Sequence, residues 1–190
     1  MPKTPGEMQD AIKAGLQPKS GKTFEEWVRI VQHSGLGTRK ERVEWLKTHH
    51  QLGTVAAGMV ASHAEGKGTD YHRGEALIEA MFAGPKAGLH PIYEQLVKLA
   101  KALGKDVTVW PCRTQVTLKR RRQFAWIKPA TNTRIDLGLA LPDTKPTGRL
   151  LDIPGTNEKD RVRLRIPIAK RAEIDDEVKR WFKTAYDLDA

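Results

Sequence analysis

Between residues 23 and 62 apolar positions return every three or four residues, whereas from Val107 onward they return at every second one. The first interval belongs to helices and the second to half-buried strands. Phe24, Trp27, Val28 and Val31 form one helical face, and Val43 with Leu46 form another. Each face follows a Thr-x-x-Glu signature, Thr23 with Glu26 and Thr38 with Glu41. In such a capping box the hydroxyl accepts from the N3 amide while the carboxylate accepts from the amide of the cap. The first helix should end near Ser34-Gly35, the second near His50. A break at Leu52-Gly53, a further cap at Thr54 and a small-residue helix over 55–62 complete a helix-turn-helix-like arrangement. Residues 1–62 read as short helices, and 1–15, interrupted by Pro2, Pro5 and Gly6, hold no apolar run of a signal peptide.

The stretch 64–69, with Glu65-Gly66-Lys67-Gly68-Thr69, reads as a linker, which divides the chain into a helical domain, 1–66, and a second domain, 67–190. Asp70 is expected to cap a helix ending at Phe82, and Gly84-Pro85 to punctuate. Pro91 suits the first turn of a helix whose Ile92, Leu96, Leu99 and Leu103 repeat until Gly104. Alternation then predicts strands at 107–111, 115–119, 124–128, 134–138 and 161–166, with a brief pairing near 149–153 inside a Pro- and Gly-rich loop, 142–160. A closing helix over 174–186 should bury Ile174, Val178, Trp181 and Ala185. The expected fold class is α+β, with an antiparallel four- to five-stranded meander flanked by helices.

Charge sharpens this picture. The 190 residues carry a formal net charge of +10 and a sequence pI near 9.8. Residues 1–66 hold 9 Lys and Arg against 7 Asp and Glu, while residues 105–170 hold 15 against 6. The basicity therefore belongs to the sheet. If Val162, Leu164 and Ile166 face the helices, Arg161, Arg163 and Arg165 share the other face. The same alternation opposes Ile135, Leu137 and Leu139 to Arg134 and Asp136, and Val116 and Leu118 to Gln115, Thr117 and Lys119. With Ala125 and Ile127 inward, Phe124, Trp126 and Lys128 join the polar face, and Val107 with Val109 inward sends Trp110 there too. The turn Lys119-Arg120-Arg121-Arg122 is expected to form a flexible basic fringe, and Arg113 extends the set.

Arginines, lysines and aromatic rings on one surface suit a single-stranded nucleic acid, because rings stack on bases while cations neutralise phosphates. The competing reading buries Phe124 and Trp126 and leaves the arginines as a solvated face. A reading helix over 55–62 is not expected, since Val55-Ala-Ala-Gly-Met-Val-Ala-Ser62 offers no side chain that meets base edges. Docking of a partner protein or of the second domain suits these small residues better.

Other chemistry finds little support. His49, His50, His63, Glu65, Asp70 and His72 lack the spacing of a zinc site. Gly66-Lys67-Gly68-Thr69 lacks the upstream glycine and the strand of a phosphate loop, and no serine sits in a nucleophile elbow. Asp136, Asp143, Asp152, Glu158 and Asp160 could serve a magnesium nuclease only if they converged. No metal and no cofactor is expected. Single Cys112 excludes an intramolecular disulfide and suits the cytoplasm. No stretch approaches the ~18 apolar residues of a membrane span.

The segments Thr23-Phe-Glu-Glu-Trp-Val-Arg-Ile and Arg42-Val-Glu-Trp-Leu-Lys-Thr-His-His-Gln-Leu-Gly, with Val55-Ala-Ala-Gly-Met-Val, resemble a short bacterial helical domain of unknown function. Tyr93-Glu-Gln-Leu, Val107-Thr-Val, Phe124-Ala-Trp-Ile-Lys-Pro, Arg134-Ile-Asp-Leu-Gly-Leu and Trp181-Phe-Lys-Thr-Ala-Tyr resemble a second such domain, sometimes labelled "predicted transport protein" and found beside nuclease-like modules. The resemblance implies two modules, carries over no catalytic residue, and sets nucleic acid in the context. The resulting expectation is a non-enzymatic, cytoplasmic protein whose basic sheet face contacts nucleic acid, single strands in particular. The alternatives are a protein–protein adaptor, whose N-terminal helices dock a partner while the basic sheet supplies solubility or contacts an acidic protein, and a module binding a small anion.

Overall fold

The computed structural model describes residues 4–190, which fold as two compact units divided between His72 and Arg73. The first contains four helices: α1 (Pro5–Ser20), α2 (Phe24–Gln32), α3 (Arg39–His50) and α4 (Thr54–Ala64). Helix α1 escapes the periodicity reading, yet it starts on the same signature as its neighbours. Thr4 accepts from the Glu7 amide, the Glu7 carboxylate accepts from Thr4 N–H, and Pro5 occupies N1, where a missing N–H costs nothing. Complete capping boxes also start α2 at Thr23 and α3 at Thr38. Helix α4 begins one residue earlier than expected, capped by the backbone of Gly53. Leu16, Phe24, Trp27, Val31, Leu46, Ala57 and Val60 close the core. Ala57, Val60 and Ala61 of α4 are buried, as close packing of a small-residue helix requires.

The first unit runs past the expected linker to His72 because α1 holds that segment. Buried Gln9 donates to the Thr69 carbonyl at 2.7 Å and accepts from the Tyr71 amide at 3.2 Å, while His72 meets Asp10 at 3.0 Å. Asp70 accordingly caps no helix. It accepts from the His72 amide, and α5 (Gly74–Met81) starts after Arg73 without a side-chain cap.

In the second unit a 3-10 segment (Gly84–Leu89) leads into α6 (His90–Leu103), and the sheet follows: β1 (Thr108–Pro111), β2 (Val116–Lys119), β3 (Gln123–Pro129), β4 (Ile135–Leu139), β5 (Leu151–Asp152) and β6 (Leu164–Ile168). All neighbours are antiparallel in the order β1-β2-β3-β4-β6-β5, so the meander ends at β4 and the short β5 takes the edge beyond β6. Helix α7 (Asp176–Asp187) closes the unit, capped by Asp175, so Ile174 precedes it. Val116, Leu118, Ile127, Ile135, Leu137, Ile166 and Ile168 share one core with Leu96 of α6 and with Val178 and Phe182 of α7. Phe182, which the helical face had omitted, is fully buried, whereas Trp181 is only half-buried.

Two strand readings require correction. The last strand lies three residues later than expected, because Leu139 of β4 pairs with Leu164 and Ala140 beyond it turns its N–H to the Phe124 carbonyl. Phe124 does not join the polar face. Leu118 pairs with Ala125 but Lys119 pairs with Gln123, so Phe124 is the extra residue of a bulge, and its ring packs in the core against Phe182 and Tyr186.

Candidate nucleic-acid interface

The sheet surface opposite the core is built from one row of cross-strand partners: Trp110, Thr117, Trp126, Gly138 and Arg165. The next row holds Lys128, Asp136 and Pro167. Trp126 is half-buried, and its indole lies against Gly138 so closely that a Cβ at that position would sit within the ring, touching Cε2 and Cδ2. Glycine is therefore the seat on which the ring rests. A glycine in mid-strand is the signal by which sequence reasoning could have found it.

Asp136, 6% exposed, is the one acidic side chain of these rows. Arg134 Nε donates to its Oδ1 at 2.8 Å, and Arg165 Nη1 donates to its Oδ2 at 2.6 Å. The carboxylate thus fixes two guanidiniums on the face, each retaining further N–H groups. Lys128 is exposed and its ammonium has no partner among the described residues. It follows Trp126 by two positions, about 7 Å along the strand. Trp110 is a different case from Trp126. It is 9% exposed, and Lys119 Nζ sits 3.6 Å from its ring centroid, so its stacking surface is already covered by a cation.

The remaining basic residues do not form the flexible fringe expected at 119–122. Arg120 Nε donates to Asp106 at 2.6 Å and its guanidinium stacks on Tyr186, whose hydroxyl donates to the same carboxylate at 2.7 Å. Arg120 first and the Tyr186 hydroxyl second hold Asp106 below the ordinary carboxylate range. Arg121 donates to the Ala190 carbonyl, and the Arg122 amide donates to Asp189 at 2.8 Å. Arg161 bridges Asp189 and the Gln123 carbonyl, and Arg163 donates to the Pro142 carbonyl. Arg113 is exposed in the turn before β2 and has no partner among the described residues. The twelve basic and aromatic candidates therefore separate into a face around Trp126, a tied turn around Asp106 and Asp189, Arg163 on the Pro142 carbonyl, and the isolated Arg113. Among the described residues no three His, Cys, Asp or Glu side chains converge to hold a metal ion, and no helix is long and apolar enough to cross a membrane.

Residues 78–189 match the family described as Domain of unknown function (DUF5655), and residues 5–66 match the one described as Domain of unknown function (DUF4287). The two matched segments fall one in each unit. No curated protein and no solved structure matches the chain.

Proposed function

Because the chain belongs to the family described as Domain of unknown function (DUF5655), a description that carries no activity, we propose its function from the chemistry of the sheet: it binds single-stranded nucleic acid without catalysis. The observation that carries this reading is Trp126, half-buried with its indole seated on Gly138, with Arg165 in the same cross-strand row, Lys128 two residues on and Arg134 held on the same face by Asp136. An indole of this kind offers a π-face to any base, worth about 1–3 kcal/mol, and the neighbouring cations meet the flanking phosphates. A merely solvated basic face has no use for a ring held in this way, and an acidic protein partner would need only the charge. A cytoplasmic setting belongs to the proposal and rests on the single cysteine.

Lys128→Glu tests the electrostatic half without touching a buried partner. Binding of a short labelled single strand should weaken, and the dependence of log K on log salt should become shallower by about one phosphate contact. An unchanged salt slope would count against the face. Arg165→Glu is a poorer probe, since it would set a second carboxylate against Asp136 and disturb the sheet itself.

A further inference from the structure

Arg122, Lys159, Arg161 and Arg163 line one cavity of about 430 Å³ together with Glu158 and Asp160. Arg161 is held from behind by groups outside the lining, Arg163 by the carbonyl of Pro142, itself part of the wall, and Arg122 through its backbone amide. Asp189, whose side chain is fully buried, accepts from the Arg122 amide at 2.8 Å, lies 3.6 Å from Arg122 Nε and accepts from Arg161 Nη2. Arg161 Nε is fixed in addition by the Gln123 carbonyl at 2.7 Å, and Arg163 Nη2 by the Pro142 carbonyl. A guanidinium has five donors, so Arg161, oriented by two, and Arg163, oriented by one, keep the rest, while the Arg122 side chain is 70% exposed and only ion-paired to Asp189. The Lys159 ammonium has no partner among the described residues. Of the two carboxylates, Asp160 is turned to the Asn157 amide at 2.8 Å, closing the local turn. Four cations against two carboxylates leave the walls net positive, and the donors of Arg161 and Arg163 are set in place before any ligand arrives.

We propose that this cavity binds a phosphate-sized anion, either inorganic phosphate or a terminal phosphomonoester. Charge-assisted bonds from oriented guanidiniums are the strongest that a protein offers such a group. The volume falls in the lower part of the range of small-molecule sites, about 300–1,000 Å³. No residue of the pocket belongs to the Trp126 face, so the inference does not depend on strand binding.

The test is calorimetric titration of the full chain with inorganic phosphate, with Lys159→Ala and Arg163→Gln combined in one variant. Neither substitution removes a partner of buried Asp189, so the urea midpoint should stay in place while phosphate affinity falls about tenfold or more. Trp126→Ala should leave phosphate affinity unchanged. Absence of saturable phosphate binding to the wild-type chain, or equal affinity in the double variant, overturns the proposal. The same titration with 5′-phosphorylated and 5′-hydroxyl dinucleotides identifies the source. Preference for the phosphorylated form assigns the end of a strand, and indifference to it, with phosphate still bound, assigns free phosphate.

Discussion

Asp189 is buried near the end of the chain, and Arg161, Arg122 and the Arg122 amide all meet its carboxylate. Asp189→Asn should lower stability by about 2 kcal/mol, measured as a shift in the urea midpoint. The loss stays moderate because Arg122 and Arg161 can turn toward solvent once released, and an unshifted midpoint would refute the anchoring role. Gly138→Ala tests a different contact: a methyl group there must displace the Trp126 indole, at a cost of about 1–3 kcal/mol and with altered near-UV tryptophan dichroism. His50 lies between Trp27 and Trp45, with ring centroids 4.7 and 4.3 Å away, and its Nε2 is buried without a partner among the described residues. Burial first, then His49 and Lys22, lowers its pKa below the ordinary value near 6.5. The unfolded chain therefore takes up this proton before the folded one does. The contribution of His50 is present above about pH 6.5 and is lost as pH falls below it. Urea unfolding followed at pH 7.5 and 5.5 should show a loss that His50→Gln reduces. At this scale sequence alternation correctly separated Val162, Leu164 and Ile166 from the arginines between them. It put Arg134 and Asp136, two residues apart, on the same face, but had no means of showing that Arg161 and Arg165 are committed to Asp189 and Asp136, which reach them through tertiary placement.

Elements were legible where their ends carry chemistry. Thr23 with Glu26 and Thr38 with Glu41 marked the starts of α2 and α3 to the residue, whereas α2 ends at Gln32, before the expected Ser34-Gly35, and Gly104 marked the end of α6. The same box at Thr4 and Glu7 went unread because Pro5 and Gly6 look like helix breakers, though Pro5 sits at N1. The bulge at Phe124 was hidden for a related reason: strict alternation assumes one residue per partner, and a single extra residue sends the next side chain to the opposite face. The loop over 142–160 is less loose than its prolines imply. Arg149 donates to Glu177 at 3.0 Å, to both Asp175 oxygens at 2.6 and 2.7 Å and to the Glu173 carbonyl at 3.1 Å, while Leu150 beside it is fully buried. Arg149→Ala should cost about 2 kcal/mol and speed protease cleavage within the loop. Cleavage at the wild-type rate would show that Leu150 alone holds it.

For the whole molecule, the sequence located the positive charge in the second unit, and the structure distributes it. Lysines and arginines that the one-face picture had gathered together are divided between the Trp126 face, the Asp106 and Asp189 ties, and the cavity near Lys159. Ion-paired arginines contribute little to a long-range field, and Arg134 and Arg165 share Asp136, so in the proposed complex the exposed Lys128 is where an anionic strand gains most at long range. The most direct measurement is fluorescence anisotropy of a labelled single-stranded oligonucleotide, titrated at low salt with the wild-type chain and with Trp126→Ala. Salt-sensitive wild-type binding that weakens about 5- to 150-fold in Trp126→Ala is the predicted result. No binding at low salt, or equal affinity of the two proteins, would contradict it.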